Sequence, residues 1–292
     1  MLLLPVIIVG AAALYDASVP DSPEPPDQRF EAEPASILAS ATTFKIVTYN
    51  IQNTWIVGKN RAARMWAIGE KLTALDPDVV AFQEALVDAD RAILLNSLRG
   101  SRLKYHHYFQ SRRLGSGLLV CSAWPIRETW FHRYSESGEW FKFWEGDWWI
   151  GKGIALARLE LPQGGVLDLY TTHTQAGYDN PHYHQVRKTQ MNELAAFMSR
   201  TRRDGEVAIL AGDMNCRPQH DEFQSLVADA RLERLMTIPS GVDHIFMVLD
   251  SRYTAATLET RRVEGRIKAG GEWTDLSDHA GFLSMIRVTP GG

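Results

Sequence analysis

Several short apolar runs in this chain end in a polar side chain, or are followed directly by one, of the kind that binds metals and phosphates. The residues are Asn50, Glu84, His173, Asp213, Asn215, Asp243, Asp278 and His279. Carboxylate and amide oxygens without a thiolate suit Mg²⁺ or Mn²⁺. A His–Asp pair can activate water, and imidazoles with carboxamides can surround a phosphate. Each residue alone has an ordinary structural explanation, a turn for an aspartate or a hydrogen-bonded side chain for a histidine, but the ordered set favours metal-assisted phosphoester chemistry.

The elements that would position these residues are short strands and amphipathic helices. Periodicity predicts strands at 44–50, 77–84, 105–110, 116–122, 153–160, 165–173, 207–212, 242–248 and 281–287. It predicts helices at 60–75, at about 184–200 and near 219–230. This mixed spacing indicates one α/β domain of two sheets packed face to face, with helices outside. Because strand ends in a layered α/β fold point into one crevice, we expect the polar residues to converge.

Charge and cysteine content narrow the classes of partner. The net charge is −4, and residues 1–41 carry six acidic side chains against Arg29, a balance of −5, which leaves +1 for 42–292. A nearly neutral domain disfavours nucleic acid, which is bound mainly by neutralising phosphates. Cys121 and Cys216 are too few for a disulfide framework or a thiolate metal site, so we expect two buried thiols.

The N-terminus predicts a leader followed by a tether. Residues 1–16 contain the uncharged run "LLLPVIIVGAAALY", which is short for a membrane span but typical of a signal peptide or an N-terminal anchor. Residues 17–41 are rich in proline and acids and predict a disordered linker. The expected location is therefore secreted, periplasmic or membrane-anchored, with a catalytic domain at 42–290. The alternative is a leader of no consequence.

The ordered motifs "TYNIQN", "PDVVAFQEA", "TTHTQ", "LAGDMNCRP", "GVDHIF" and "SDHAGF" resemble the endonuclease/exonuclease/phosphatase superfamily. The resemblance runs from about residue 44 to 287. It implies a four-layered α/β sandwich, with two packed mixed β-sheets flanked by helices as in deoxyribonuclease I, and Mg²⁺-dependent cleavage of phosphoester bonds, with Mn²⁺ as a substitute. The superfamily includes nucleases, inositol-phosphate phosphatases and neutral sphingomyelinases, so it leaves the substrate open.

The resemblance also implies a metal site. In this chain Glu84 matches the principal metal ligand, with Asn50 beside it. Asp278 matches a residue near the metal.

Catalytic roles are implied in the same way. His279 matches the general base that takes a proton from the attacking water, and Asp243 matches the partner that orients its imidazole. Asp213 and Asn215 match the pair that positions the nucleophile and holds the phosphoryl oxygens, and His173 matches the histidine that stabilises charge on the phosphate. Asp213 is the alternative to His279 as the base.

Within the superfamily, "SGLLVCSAWPI", "GDWWIGKGIALARLEL" and the segment after His173 look most like neutral sphingomyelinases and inositol-phosphosphingolipid phospholipases C. In that family an Asp and a Lys five residues apart act as a switch at the active site, and Asp147 and Lys152 match them. The alternatives are a surface salt bridge, or a Lys152 that contacts the lipid phosphate as a point charge.

Aromatic residues are concentrated beside this pair. Nine of the twenty residues at 130–149 are aromatic, against 10% of the whole chain. Tryptophan favours the headgroup layer of a membrane, where its ring and its N–H group are both satisfied. We therefore expect membrane contact through Trp140, Trp144, Trp148 and Trp149. The alternative is a second core under the sheet.

Together these patterns predict a Mg²⁺-dependent phosphodiesterase of the phospholipase C type. It would hydrolyse sphingomyelin or a related phospholipid at a membrane surface and release a phosphorylated headgroup and a ceramide-like lipid. The alternatives are a nuclease or an inositol-phosphate phosphatase, both of which require a basic groove. A binding protein with an inactive site is disfavoured because Glu84, Asp213, Asp243 and His279 are all present. No protein partner is inferred.

Overall fold

The computed structural model describes residues 20–25, 38–55, 58–112, 114–138, 150–177 and 180–291. In chain order the strands are β1 (Thr42–Asn53), β2 (Val79–Ala85), β3 (Tyr105–Tyr108), β4 (Leu119–Ser122), β5 (Ile126–Arg133), β6 (Gly153–Glu160), β7 (Val166–His173), β8 (Val207–Asp213), β9 (Leu232–Arg234), β10 (Asp243–Val248), β11 (Tyr253–Val263), β12 (Arg266–Ala269), β13 (Glu272–Asp275) and β14 (Gly281–Pro290). The helices are α1 (Arg61–Leu75), α2 (Asp88–Ser97), α3 (Pro181–Thr201) and α4 (Asp221–Asp229), and Leu98–Gly100 forms a 3₁₀ turn.

The strands form two six-stranded sheets and a separate hairpin. The first sheet has the order β11-β14-β1-β2-β4-β3, the second has the order β5-β6-β7-β8-β10-β9, and β12 pairs with β13. In each sheet one neighbouring pair is parallel, β1 with β2 and β7 with β8. A parallel pair needs a crossover, which α1 supplies in the first sheet and α3 in the second. The sheets are therefore mixed, as expected.

Three apolar cores separate four layers. The alternation in β1 shows how one strand serves two of them, because Phe44 and Ile46 face the second sheet while Val47 and Tyr49 face the helices. Side chains from both sheets fill the central core, among them Leu169, Ile209 and Ile245. The outer cores pack under α1 and α2 on one side and under α3 and α4 on the other. This order of helices, sheet, sheet and helices confirms the predicted four-layered sandwich.

Each predicted strand overlaps an observed one, and the helix boundaries differ for local reasons. The helix expected from about residue 184 begins at Pro181, because the Asn180 side chain caps it by accepting from the N–H of His182 at 3.1 Å. Helix α2 and strands β5, β9 and β11 to β13 were not predicted. Strand β5 includes the start of the aromatic stretch, and Phe131 lies fully buried in the central core.

Residues 20–25, which lie within the predicted disordered linker at 17–41, form defined hydrogen bonds with the domain. Ser22 forms two hydrogen bonds with the backbone of Gln110, donating from its N–H at 2.9 Å and accepting at its Oγ at 2.7 Å. The carbonyl of Pro23 accepts from the N–H of Phe131 at 2.9 Å. Residues 20–25, called the strap below, thus join the end of β3 to β5 across the edges of the two sheets.

The predicted leader at 1–16 lies outside the described residues, so it stays a prediction. Among the residues that the structure does describe, no helix is long and apolar enough to cross a membrane.

Candidate active site

The carboxyl ends of the two parallel strand pairs carry the candidate residues. Asn50 and Glu84 lie at the ends of β1 and β2, and His173 and Asp213 are the last residues of β7 and β8. Asp243 opens β10 and pairs directly with Asp213. The two sheets thus bring residues more than 160 positions apart in the sequence into contact.

Asn50 joins the two sheets at this point. Its Nδ2 donates to Glu84 Oε1 at 2.9 Å and to Asp213 Oδ2 at 3.0 Å. Its Oδ1 accepts from the N–H of Gln52 at 3.1 Å. The amide therefore presents its nitrogen to both carboxylates, and a role as an oxygen ligand requires the amide to turn over. In the arrangement seen here, Asn50 positions the two carboxylates.

The backbone turns sharply at Glu84, which adopts a left-handed conformation with φ 57°. Gly117 makes this turn possible, since a Cβ at Gly117 would lie 3.2 Å from the Glu84 Cα. The pKa of Glu84 is raised to about 7, mainly by burial and to a smaller extent by the charges of Asp213 and Asp278, while Asn50 and Lys152 oppose the shift. A cation bound here would stabilise the ionised carboxylate.

His279 and Asp243 form a hydrogen-bonded pair across the site. His279 Nδ1 lies 2.9 Å from Asp243 Oδ2 and 3.7 Å from Asp213 Oδ2. Burial lowers the pKa of His279, but the bond to Asp243 and the charges of Asp213 and Asp243 outweigh it and raise this pKa to about 10. Burial and the neighbouring Asp213 raise the pKa of Asp243 to about 7. Asp243 Oδ1 is buried without a hydrogen-bond partner.

Lys152 lies inside the site beside His173. Its Nζ is 3.2 Å from His173 Nε2 and donates to the carbonyl of Thr174 at 2.8 Å, and only 3% of the residue is exposed. The alternative of a surface salt bridge is therefore wrong for Lys152. Burial, followed by the charges of Lys152 and His279, lowers the pKa of His173 well below its usual value. A neutral imidazole accepts from Lys152 at Nε2, which places its proton on Nδ1.

Asn215 and Asp278 occupy different surroundings. Asn215 has a left-handed backbone with φ 43°, its N–H donates to Asp213 Oδ1 at 2.8 Å, and its Nδ2 donates to the carbonyl of Thr174 at 3.0 Å. Asp278 is exposed, and its Oδ1 lies 3.3 Å from Ser277 Oγ. The structure therefore places Asn215 at the centre of the site and Asp278 at its solvent edge.

Two residues that the sequence did not indicate hold the site together. Ser277 Oγ donates to the carbonyl of Asn50 at 2.7 Å and accepts from the N–H of His279 at 3.2 Å. Arg64 is almost fully buried, and its guanidinium donates to the carbonyls of Ile51, Gln52, Lys59 and Leu276 at 2.7 to 3.0 Å. An arginine within a helix and a serine before an aspartate carry no distinctive sequence signal. Their roles are visible only in the fold.

Four of the predicted residues and one switch residue cannot be placed. Trp140, Trp144, Trp148, Trp149 and Asp147 lie outside the described residues. Their predicted roles stay predictions.

The donor set fits a hard divalent cation. Glu84 and Asp213 approach the shared Asn50 amide from opposite sheets, and one ligand atom from each of Asp213, Asp243 and His279 lies within 4.8 Å of the others. The Glu84 side chain is 20% exposed and so reaches the cleft. Oxygen-rich, partly hydrated sites of this kind suit Mg²⁺ or Mn²⁺.

Comparisons with known proteins agree with this geometry. A model of the endonuclease/exonuclease/phosphatase family matches residues 47–279. The chain is 33% identical over 211 residues to an inositol phosphosphingolipids phospholipase C of Schizosaccharomyces pombe, a match that covers 70% of this chain and 49% of that protein. It is 35% identical over 184 residues to sphingomyelin phosphodiesterase 2 of Mus musculus, covering 61% and 43%. The chain spans about half the length of these curated relatives.

The fold also matches solved structures. A crystal structure of a Staphylococcus aureus beta toxin variant with bound magnesium ions aligns with a TM-score of 0.65 at 18% identity, covering 84% of this chain and 99% of that chain. This likeness shows that the two proteins share a fold.

Proposed function

We propose that this chain, which belongs to the endonuclease/exonuclease/phosphatase family, is a Mg²⁺-dependent phosphodiesterase of the phospholipase C type. Its substrate is sphingomyelin or a related phospholipid at a membrane surface. The observation that carries the proposal is the meeting of Glu84 and Asp213 on one Asn50 amide, next to the Asp243–His279 pair. The products are a phosphorylated headgroup and a ceramide-like lipid.

Glu84 would hold the cation, with Asp278 at the solvent edge as an outer partner. Bound there, Mg²⁺ would supply positive charge that polarises the phosphate and offsets the charge developing on its oxygens. The magnesium ions bound to the beta toxin variant of the same fold support Mg²⁺ as the metal.

His279 acts as the general base, with Asp243 as the residue that orients it. Asp243 takes Nδ1. A cation at the neighbouring carboxylates would offset the negative charges that raise the pKa of His279 to about 10, and Nε2 would then be free to accept the proton of the attacking water. Asp213 is less suited to this role because both of its oxygens already accept hydrogen bonds, Oδ1 from Asn215 and Oδ2 from Asn50. Asp213 instead holds the side-chain amide of Asn50 and the backbone N–H of Asn215 in position.

Charge on the phosphate is stabilised from the β7 side of the site. His173 Nε2 is engaged by Lys152, so the ammonium of Lys152 is the positive charge beside this imidazole. Lys152 is buried and held by the Thr174 carbonyl, which keeps its charge in a fixed position. Preorganised charge of this kind stabilises the transition state because it requires no reorganisation during the reaction.

A lipid substrate is favoured over nucleic acid. Residues 42–292 carry a net charge of about +1, too little for a groove that tracks a polynucleotide backbone. The two curated relatives described above bear the names of enzymes that act on sphingolipids. Membrane contact through Trp140, Trp144, Trp148 and Trp149, and export or anchoring through residues 1–16, complete the proposal.

The test offers the full chain three substrates in Mg²⁺ and in EDTA: sphingomyelin vesicles, plasmid DNA and soluble inositol phosphates. We expect Mg²⁺-dependent release of phosphocholine, with plasmid and inositol phosphates unchanged. His279→Ala should abolish this release, while His106→Ala, which removes an exposed histidine on β3, should not. Nicked plasmid with intact vesicles would overturn the substrate, and full activity of His279→Ala would overturn the base.

Membrane contact has a separate test. We expect the double substitution of Trp148 and Trp149 by alanine to reduce activity on vesicles at least about tenfold more than activity on a soluble chromogenic phosphodiester, because interfacial rings contribute only at the lipid surface. Trp66→Ala, which removes a half-exposed ring on α1, is the matched control. Equal losses on both substrates would show that the two rings are core residues.

A further inference from the structure

A second cluster of metal-ligating side chains lies outside the proposed catalytic centre. It is formed by His184 on α3, His220 in the connection from β8 to α4, and Glu222 on α4. Cys216, in the same connection, adjoins this group through its contact with His220. Two cysteines are too few for a thiolate-rich site, but here a single thiol meets two imidazoles and a carboxylate. This combination of sulfur, nitrogen and oxygen ligands is typical of zinc rather than of magnesium.

The distances within the cluster fit one small ion. Cys216 Sγ lies 3.5 Å from His220 Nδ1, and His184 Nδ1 lies 3.2 Å from Glu222 Oε1. One ligand atom from each of His184, His220 and Glu222 lies within 4.8 Å of the others. Ligands on a tetrahedral zinc ion are separated by about 3.3 to 3.6 Å, given bond lengths of about 2.0 to 2.3 Å. Both measured pairs are close to this separation. Cys216 lies outside the group of three, so it must move towards His184 and Glu222 when an ion binds.

We propose that His184, Cys216, His220 and Glu222 bind one transition-metal ion of the zinc class. Cys216 and Glu222 are buried and form the floor of the site, whereas the His184 side chain is 57% exposed and gives the ion access from solvent. Forming the sulfur–metal bond releases the Cys216 thiol proton to solvent, so the thiolate and the Glu222 carboxylate bring two negative charges to the ion.

Arg187 is the group that competes with the ion. Its Nη2 donates to His184 Nδ1 at 2.9 Å and to Glu222 Oε1 at 3.3 Å, so the guanidinium bridges two acceptors that face each other. A bound ion takes over this bridge. Arg187 then keeps its contact with the carbonyl of Gln175, at 3.4 Å in the present arrangement.

The cluster lies directly beside the backbone that carries Asn215 of the proposed catalytic site. Cys216 directly follows Asn215, and its carbonyl lies 3.1 Å from His244 Nε2. An ion that joins Cys216 and His220 to His184 ties this connection to the first turns of α3. The ion therefore stabilises the backbone that carries Asn215.

The test uses Co²⁺ as a spectroscopic substitute for Zn²⁺, added to the metal-free full chain in detergent. We expect a near-ultraviolet thiolate-to-cobalt band that saturates at about one equivalent and disappears when Zn²⁺ displaces the cobalt. Cys216→Ser should abolish the band. Cys121→Ser, which removes the other buried thiol, should keep it. His220→Gln is the second variant, and we expect it to weaken Co²⁺ binding at least about tenfold.

Two further results separate this site from the catalytic centre. Glu84→Gln should leave the thiolate band unchanged, and Zn²⁺ should raise the unfolding temperature of wild type and Cys121→Ser but not of Cys216→Ser or His220→Gln. The proposal fails if wild type shows no thiolate band. It also fails if the band survives in Cys216→Ser, or if a folded His220→Gln binds Co²⁺ as tightly as wild type.

Discussion

Replacing Asp243 by asparagine separates the chemistry of the site from the stability of the fold. Asparagine keeps the shape of the side chain but removes the charge that His279 Nδ1 contacts at 2.9 Å. It also puts a side-chain amide, which can donate as well as accept, in place of a carboxylate that only accepts. The His279 imidazole therefore loses the partner that fixes its proton on Nδ1. The proposed base is then present in the wrong tautomer and orientation for part of the time.

The expected loss follows from the distances. At an effective dielectric constant of about 20, a charge pair at 2.9 Å is worth roughly 6 kcal/mol and one at 3.7 Å roughly 4.5 kcal/mol. Asp213 therefore continues to stabilise the protonated imidazole after Asp243 is neutralised. We expect a loss of about 3 to 5 kcal/mol in transition-state stabilisation, which corresponds to about 10² to 10⁴ in kcat.

Stability should change far less than activity. Burial and Asp213 raise the pKa of Asp243 to about 7, so the ionised carboxylate is unfavourable in the fold, and its Oδ1 is buried without a partner. Removing the charge relieves this cost but also removes its attraction to protonated His279, so the unfolding temperature of the metal-free Asp243→Asn protein should stay close to that of wild type. Asp229→Asn, an exposed change at the end of α4, is the matched control.

The assay measures kcat on sphingomyelin vesicles and on a soluble phosphodiester, beside thermal unfolding of the same preparations. Activity of Asp243→Asn within about fivefold of wild type on both substrates would refute the role of Asp243 as the orienting residue. A loss of activity matched by a large fall in unfolding temperature would refute the separation of chemistry from stability.

Three further changes test the metal site, its support and the strap. Glu84→Gln should weaken Mg²⁺ binding by at least about 100-fold in calorimetric titration. It should not lower the unfolding temperature, because burial raises the pKa of Glu84 to about 7 and the ionised carboxylate is unfavourable without a cation. Arg64→Lys should lower the free energy of unfolding by about 2 to 3 kcal/mol in chemical denaturation and should also reduce kcat. The reason is that a lysine cannot bond to all four of the carbonyls through which Arg64 ties the end of β1 to the segment before β14. His132→Gln should cost about 1 kcal/mol at pH 6, measured by unfolding, and nothing at pH 10.

The pH window for His132 follows from its contacts. Its ring nitrogens lie 2.9 Å from Glu193 and 3.0 Å from Glu24 of the strap, and these hydrogen bonds raise the pKa of His132 to about 9 from 6.5. Because the folded protein binds this proton more tightly than the unfolded chain, protonated His132 stabilises the fold fully below pH 6.5. This contribution disappears as the pH rises through about 9. A difference between variant and wild type that persists at pH 10 would contradict this linkage.

Controls for the other two changes are available in the same chain. Glu70→Gln removes an exposed carboxylate on α1 and should leave Mg²⁺ binding unchanged. Unaltered Mg²⁺ affinity in Glu84→Gln would remove Glu84 from the metal site. For Arg64, wild-type kcat in a destabilised Arg64→Lys protein would mean that the arginine supports the fold without positioning the site.

Local patterns in the sequence determined the elements and the residue types of the site. A strand that is buried on both faces has a nearly continuous apolar run, so β1 could be recognised before its partners were known. Polar residues at the ends of such strands indicated metal and phosphate chemistry, and their order along the chain indicated the family. These features are readable because each depends on neighbours within a few positions.

Elements with weaker patterns were missed or misread. Strand β11 is largely exposed and β12 and β13 form a short hairpin, so they carry little apolar signal. Strand β5 at the beginning of the aromatic stretch was not predicted, and its Phe131 fills the core between the sheets. The strap is held by contacts with Gln110 and Phe131, roughly a hundred positions away, and no local pattern reveals such contacts.

Tertiary structure alone decided which atoms meet and in which charge state. Asn50 and Asp213 are 163 positions apart, and only the packing of two sheets shows that the amide nitrogen joins two carboxylates. Lys152 was equally compatible with a surface salt bridge, and burial beside His173 places it in the site. Sequence sets the chemical type of a side chain, whereas its pKa and its partners depend on the distances and on the exclusion of water that the fold creates.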